Sequence, residues 1–258
     1  MEVMDGRSRV RGFVRIVAFF GLLFQGCAAI PPELEIPLAR GQFVSRSGKP
    51  GLVIGAPHGG SDDGTDRISR ELAERTGFGL VLATGFSNID SQRRRFHVNR
   101  PTEGVPGQPP SSEVYTEEAR TVYEAYVRRV KEAAQGPIRL FVELHGNARK
   151  ESAGRIEIAT VGVDRQQAWQ LKTLFELIRD VHLKAWPEAP QLQVLMEPLD
   201  RLHLNASATK QTGILRLPQQ ALHIELPRSA RSAGREAYVE ILAEFLKETS
   251  NLFQAWNK

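Results

Sequence analysis

The sequence predicts an α/β fold built on a mostly parallel sheet with helices on both faces. Three observations lead there. Short, largely apolar runs such as 52–56 and 138–144 suit strands buried on both sides. Segments with helical spacing lie between several of these runs, which is the alternation that parallel pairing requires. At 258 residues, with 41% hydrophobic and 25% charged residues, the chain is long enough for one domain with a large core, which sets aside disordered and fibrous classes.

The first segment is set apart from that pattern. A head carrying Arg7, Arg9, Arg11 and Arg15 precedes a short apolar stretch, 16–24, and Gln25, Gly26 and Cys27 follow at once. This is the layout of an export signal, and the apolar run is short for a permanent membrane span. Leu23-Phe24-Gln25-Gly26-Cys27 resembles the bacterial lipoprotein cleavage box. That resemblance implies a lipid-modified Cys27 as the new N-terminus and a membrane tether on an exported, periplasmic-side protein. The alternative is a buried free cysteine at the end of a core helix. Cys27 is the only cysteine, so an intramolecular disulfide and a cysteine-rich metal site are both excluded, and any metal must be held by His and carboxylates. Half of the formal charge of +4 lies in this head, four Arg against Glu2 and Asp5, and without it the balance is close to neutral. No basic stripe interleaved with aromatics remains beyond it, so nucleic acid is not an expected partner.

Residues 1–27 are thus expected as the signal, 28–50 as a proline-bearing tether with little structure, and 51–258 as the folded domain. Within the domain, 52–56 reads as a strand and 66–76 as a helix closed by Gly77, with 80–83 a second strand. The segment 87–112 is rich in Arg, Pro, Gly and Asn, lacks periodicity and reads as a long loop, of a length that is usually either functional or disordered. A helix over 115–134, with Val122, Tyr126 and Val130 on its apolar face, ends at Gly136-Pro137 and leads to the strand 138–144. Then follow a strand at 156–161, a helix at 166–181, a strand at 192–195, a strand at 221–226 and a C-terminal helix from about 234 to 253.

Four short motifs carry chemistry. Pro57-His58-Gly59-Gly60-Ser61-Asp62-Asp63-Gly64-Thr65 follows the first strand, so His58 emerges at a strand's C-terminal edge, where open α/β sheets place ligands. The glycines let the chain turn and bring a carboxylate back to the imidazole, a half-site for zinc. The bland reading is a Gly/Asp turn with a helix cap and a solvent-facing histidine. Phe141-Val142-Glu143-Leu144-His145-Gly146 is again an apolar strand ending in histidine and glycine. By itself, His145 could be a core histidine bonded to backbone. Leu222-His223-Ile224-Glu225-Leu226-Pro227 puts a carboxylate in a strand that should be apolar, so Glu225 needs a cation, an arginine or a metal-bound water as partner. Arg95-Phe96-His97-Val98-Asn99-Arg100-Pro101, in the long loop, offers an arginine fork suited to a carboxylate, or is one more solvated basic run. A serine hydrolase is not indicated, because no Gly-x-Ser-x-Gly elbow occurs.

Taken in order, Pro57-His58-Gly59-Gly60, Asn99-Arg100-Pro101, Leu144-His145-Gly146 and Ile224-Glu225-Leu226-Pro227 resemble the N-formylglutamate amidohydrolase and zinc carboxypeptidase-like superfamily, and are similar also to phage poly-γ-glutamate hydrolases. The resemblance covers roughly 51–227 and implies a three-layer α/β/α sandwich with one zinc ion per chain. It implies His58 and His145 as zinc ligands and Glu225 as general base, with Asn99 and Arg100 holding a substrate carboxylate. Carboxypeptidases place the acidic ligand three residues after the first histidine, where this chain has Ser61. The phage hydrolases place it a little later, which points to Asp63 in preference to Asp62. The expected reaction is hydrolysis of an amide or peptide bond beside a carboxylate, in an N-acyl amino acid, γ-glutamyl or cell-wall peptide substrate. The competing expectation is an inactive, tethered binding protein for carboxylate-bearing peptides.

Overall fold

The computed structural model describes residues 31–38, 40–87, 94–105 and 107–256. The expected signal segment and Cys27 lie outside the described residues. Within them the chain runs β1 (Leu34–Leu38), β2 (Gly41–Arg46), β3 (Leu52–Gly59), α1 (Thr65–Thr76), β4 (Gly79–Thr84), β5 (Arg95–Phe96), β6 (Thr102–Gly104), β7 (Val114–Tyr115) and α2 (Glu117–Ala134). It continues with β8 (Leu140–Asn147), β9 (Arg155–Val161), α3 (Arg165–His182), β10 (Gln193–Met196), α4 (Ser207–Thr212), β11 (Gln220–Pro227), α5 (Arg228–Arg231) and α6 (Arg235–Trp256).

An eight-stranded sheet in the order β1-β2-β4-β3-β8-β11-β9-β10 forms the middle layer, and β5-β6-β7 form a small separate sheet. The four central strands β4, β3, β8 and β11 are mutually parallel. At the flanks, β2 runs antiparallel to β4, and β9 antiparallel to β11. The expected mostly parallel sheet between helical layers is what forms, because the central strands alternate apolar side chains between two apolar environments. Ile54, Leu82, Val142 and Ile224 face a core shared with α1, α3 and α6. Val53, Val81, Phe141 and Ala221 face a second core shared with α2. Glu143 and His145 on β8, and His223 and Glu225 on β11, break that rule from the middle of each strand onward.

Two expectations need correction. The stretch 28–50 is not a bare tether: from Leu34 onward it supplies β1 and β2, which pair with each other and extend the sheet past β4. Phe43 on β2 is fully buried and stacks on Phe86 with ring centroids 4.8 Å apart, so the segment is fastened by its apolar residues. Of the prolines that suggested a tether, Pro37 sits in the outermost strand, the position in a sheet where proline is best tolerated. The long loop is also partly ordered, as β5 and β6, and β7 follows it to complete the small sheet. The register of the helices follows their caps. Thr116 accepts from the Ala119 amide at the start of α2, and Asp164 forms a full capping box with Gln167 on α3.

The path of the chain fixes where a site belongs. After β3 it moves through α1 to β4 on one side, then returns through α2 to β8 on the other. The connections leaving β3 and β8 therefore diverge, and a crevice opens beyond their carboxyl ends.

Candidate metal centre

His58 and His145 stand at those two ends. The β3 strand closes in a tight turn in which the His58 carbonyl accepts from the amides of Ser61 and Asp62 at 3.0 and 2.9 Å. Gly60 sits at φ +90°, a conformation that a side chain would strain, so the turn depends on glycine there. The turn delivers Asp62 back to the histidine. Its Oδ2 lies 3.4 Å from His58 Nδ1 and 3.3 Å from His145 Nδ1, and it accepts from the Gly146 amide at 3.3 Å. The imidazole centroids are 5.0 Å apart, edge to face.

Two imidazole nitrogens and one carboxylate thus converge, with potential ligand atoms all within 4.8 Å of one another. The far side of each ring is also engaged. His58 Nε2 is 3.2 Å from the His97 carbonyl, and His145 Nε2 faces Glu143 Oε2 at 3.3 Å. With a metal on the Nδ1 atoms, each ring proton would stand on Nε2, toward the His97 carbonyl behind His58 and the Glu143 carboxylate near His145, the arrangement that histidine ligands of metals use. His₂-carboxylate with room for water is a donor set suited to catalytic zinc. The residues present fit a divalent ion.

The acidic member is Asp62 and not the expected Asp63. The Asp63 side chain is exposed, and its backbone carbonyl accepts from Arg231 Nη1, so the turn points the second aspartate away from the histidines. Arg231 is a clasp for the whole centre. From one guanidinium it donates also to the carbonyls of Asp62 at 3.2 Å, Leu226 at 3.2 Å and Asn147 at 3.1 Å, which joins the ends of β3, β11 and β8. Gly146 is small for the same reason, since a Cβ there would lie 2.6 Å from Arg231 Cζ.

Glu225 lies directly opposite His145 in the parallel ladder. Its partner is His223, whose Nε2 is 3.2 Å from Glu225 Oε1, and no described arginine pairs with it. His223 Nδ1 in turn is 2.7 Å from Glu143 Oε2. Glu143 and His145 project from one face of β8, and His223 and Glu225 from the same face of β11, so four polar groups form a two-by-two array with like residue types on the diagonals. Glu143 is completely buried, and its other oxygen accepts from Asn99 Nδ2 at 3.0 Å. Sequence reading passed over Glu143 and His223. Their signal was the one that exposed Glu225, a charged or titratable residue in an apolar strand two places before a site residue.

Electrostatics follow from this packing. Burial pushes the Asp62 and Glu143 carboxyls up, but the surrounding histidines outweigh it and hold both well below the ordinary carboxylate range. In His145 burial disfavours the imidazolium, yet Asp62 and Glu143 raise it to about 10 in the metal-free site. Burial lowers His58, although Asp62 partly opposes that.

A cleft of about 740 Å³ opens over the centre and includes His58, Asp62, His145 and Glu225 on its floor. The Arg95-to-Arg100 segment forms part of its wall. Val98 has φ +57°, a left-handed conformation strained for a β-branched residue. That turn presents the His97 carbonyl to His58 and Asn99 to Glu143. Arg100 is close by but fully engaged. Its Nε and Nη2 fork onto Glu113 at 2.8 and 2.5 Å, Nη2 also meets His97 Nδ1 at 2.9 Å, and Nη1 reaches Asn99 Oδ1 at 3.1 Å and Thr209 Oγ1 at 3.5 Å. The expected Asn99–Arg100 clamp is therefore already holding a carboxylate of its own chain.

No protein-family model matches the chain, and no curated protein matches it. Among solved structures, a bacteriophage poly-gamma-glutamate hydrolase is similar at 14% identity and TM-score 0.47, over 85% of this chain and 93% of that one. A metallo-carboxypeptidase from Burkholderia cenocepacia is similar at 11% identity and TM-score 0.45, over 86% of this chain and 65% of that one. A metallo-carboxypeptidase from Pseudomonas aeruginosa, solved with (2-guanidinoethylmercapto)succinic acid, gives 11% identity and TM-score 0.41, over 81% and 61%.

Proposed function

We propose that this chain is a zinc-dependent hydrolase of an amide or peptide bond in a carboxylate-bearing substrate, of the N-acyl amino acid, γ-glutamyl or cell-wall peptide type. The observation that carries the reading is the convergence of His58 Nδ1, His145 Nδ1 and the Asp62 carboxylate beneath an open cleft, with Glu225 in register on the next strand. Zinc, if held by His58, Asp62 and His145, would polarise the scissile carbonyl and acidify a water. Glu225 would be placed to accept the proton of the attacking water and return it to the leaving amine nitrogen. His223 Nε2 stands 3.2 Å from Glu225 Oε1, which leaves the other carboxylate oxygen to receive the proton. The cationic wall orients the substrate carboxylate. With export and a lipidated Cys27, γ-glutamyl and cell-wall material are the accessible substrates.

The test is zinc content and turnover of γ-glutamyl and N-acyl amino acid substrates, in the wild type and in His58→Ala, His145→Ala and Glu225→Gln. Near one zinc per chain, lost in both histidine variants, with Glu225→Gln keeping zinc and losing turnover, is the expected pattern. Zinc and ligand binding without any turnover in the wild type would leave a tethered binding protein instead.

A further inference from the structure

The Arg100 guanidinium has five N–H donors and makes five contacts of hydrogen-bond length within the chain, two of them to Glu113. Glu113 is not on a free flap. It directly precedes β7, whose Val114 pairs with Glu103 of β6, and its Oε2 also accepts from Thr102 Oγ1 at 2.7 Å. Its side chain is 8% exposed. Displacing it would strand a buried carboxylate and break the ion pair with Arg100, a cost that an incoming carboxylate at the same fork would only restore.

Arg95 is in the opposite state. It sits on β5, held in register against Gly104 of β6, and lines the same cleft as His58 and Asp62. Its Nε is buried without a hydrogen-bond partner, and no described residue forms an ion pair with its guanidinium. A buried donor left open at the edge of a ligand cleft is costly unless a ligand satisfies it.

We infer that Arg95, and not Arg100, is the residue that binds the substrate carboxylate, while Glu113 permanently fills the Arg100 fork and turns Arg100 into a support of the cleft wall. The ligand class is a carboxylate with planar, two-oxygen presentation, taken by the guanidinium through charge-assisted hydrogen bonds. This assignment deepens the proposed hydrolase reading and rests on it for the bond that is cleaved. It also makes a statement about binding alone.

The experiment therefore reads binding, with turnover followed separately. Zinc-loaded full-length protein is titrated with N-acetyl-L-glutamate and with its doubly amidated counterpart, using the wild type, Arg95→Gln, Arg95→Lys and Arg100→Gln, with zinc content and melting temperature measured for each. Arg95→Gln is expected to weaken N-acetyl-L-glutamate by about 10–100-fold, and to leave the amidated probe, already weak, unchanged. Arg95→Lys is expected to recover part of the loss, since it restores charge without the fork. Equal affinity in the wild type and Arg95→Gln, with Arg100→Gln folded, zinc-bound and unable to bind, would overturn the assignment and show that Glu113 is displaced. Failure of the wild type to prefer the carboxylate probe would overturn it as well. Absence of turnover with Arg95-dependent binding intact would instead count against the hydrolase reading alone.

Discussion

Replacing Glu143 by Gln removes a charge and one acceptor while keeping shape and burial. The carboxylate receives Asn99 Nδ2 on one oxygen, and on the other it receives His223 Nδ1 and faces His145 Nε2. An amide has only one acceptor oxygen. If its nitrogen takes the inner position it confronts two imidazole nitrogens, and if it takes the outer position it confronts the Asn99 amide. In either case His145 loses the negative charge that stands 3.3 Å from its Nε2. Loss of such an outer carboxylate costs about 10–100-fold in metal affinity, or roughly 1.4–2.7 kcal/mol. Competition between the protein and a chromophoric chelator measures the zinc dissociation constant directly. The melting temperature of the metal-free variant shows that the fold survives. A folded Glu143→Gln variant whose zinc affinity lies within about twofold of wild type, some 0.4 kcal/mol, would refute a role for the Glu143 charge in supporting the metal through His145.

Asp62→Asn should lower zinc affinity by more than the outer-carboxylate range, on the order of 100-fold or beyond, whereas Asp63→Asn should leave zinc content near one per chain. Arg231→Ala should destabilise the domain by about 2–4 kcal/mol in urea unfolding, because it strips partners from carbonyls at the ends of three central strands, and Arg231→Lys should recover part of that. Arg100 and Thr102 hold the Glu113 carboxyl below its ordinary value, although burial opposes them. A lowered folded-state value stabilises the protein above the unfolded carboxyl pKa, and that stability is lost as the pH falls through the folded value. The stability gap between wild type and Glu113→Gln should thus be flat near neutrality and shrink only below about pH 4, followed by denaturant unfolding across pH.

Much of this architecture was legible because apolar runs and helical spacings report burial directly. The parallel block needed only those patterns and glycine or proline stops. The edge strands β1 and β2 escaped because a proline near exposed Leu34 and Leu38 looks like linker, and only pairing with β4 reveals Phe43 as core. At the centre, His58, His145 and Glu225 were visible as polar residues at the ends of apolar strands. Asp62 and Asp63 could not be separated by spacing, since the choice turns on the rotation of a turn that Gly60 and the Arg231 clasp determine. The Arg95–Arg100 segment was recognised as cationic, but which of its arginines is open depends on Glu113, which becomes its neighbour only through the pairing of β7 with β6. Glu143 and His223 were readable by the same logic as Glu225. They were overlooked because each stands next to a more conspicuous motif.

The Arg231 clasp has a consequence for when the metal can be held. It joins Asp62 to a residue 169 positions later, and Gly146 to Asp62 across 84. Neither half of the centre has its final geometry until α5 has followed β11 into place, so loop closure over most of the domain precedes tight metal retention. Metal uptake during refolding should accordingly trail the formation of secondary structure and coincide with the last cooperative step. In a living cell, such a chain acquires its ion in whichever compartment folding finishes. If the N-terminal segment directs export of the unfolded chain, the metal supply that matters is the one outside the cytoplasm.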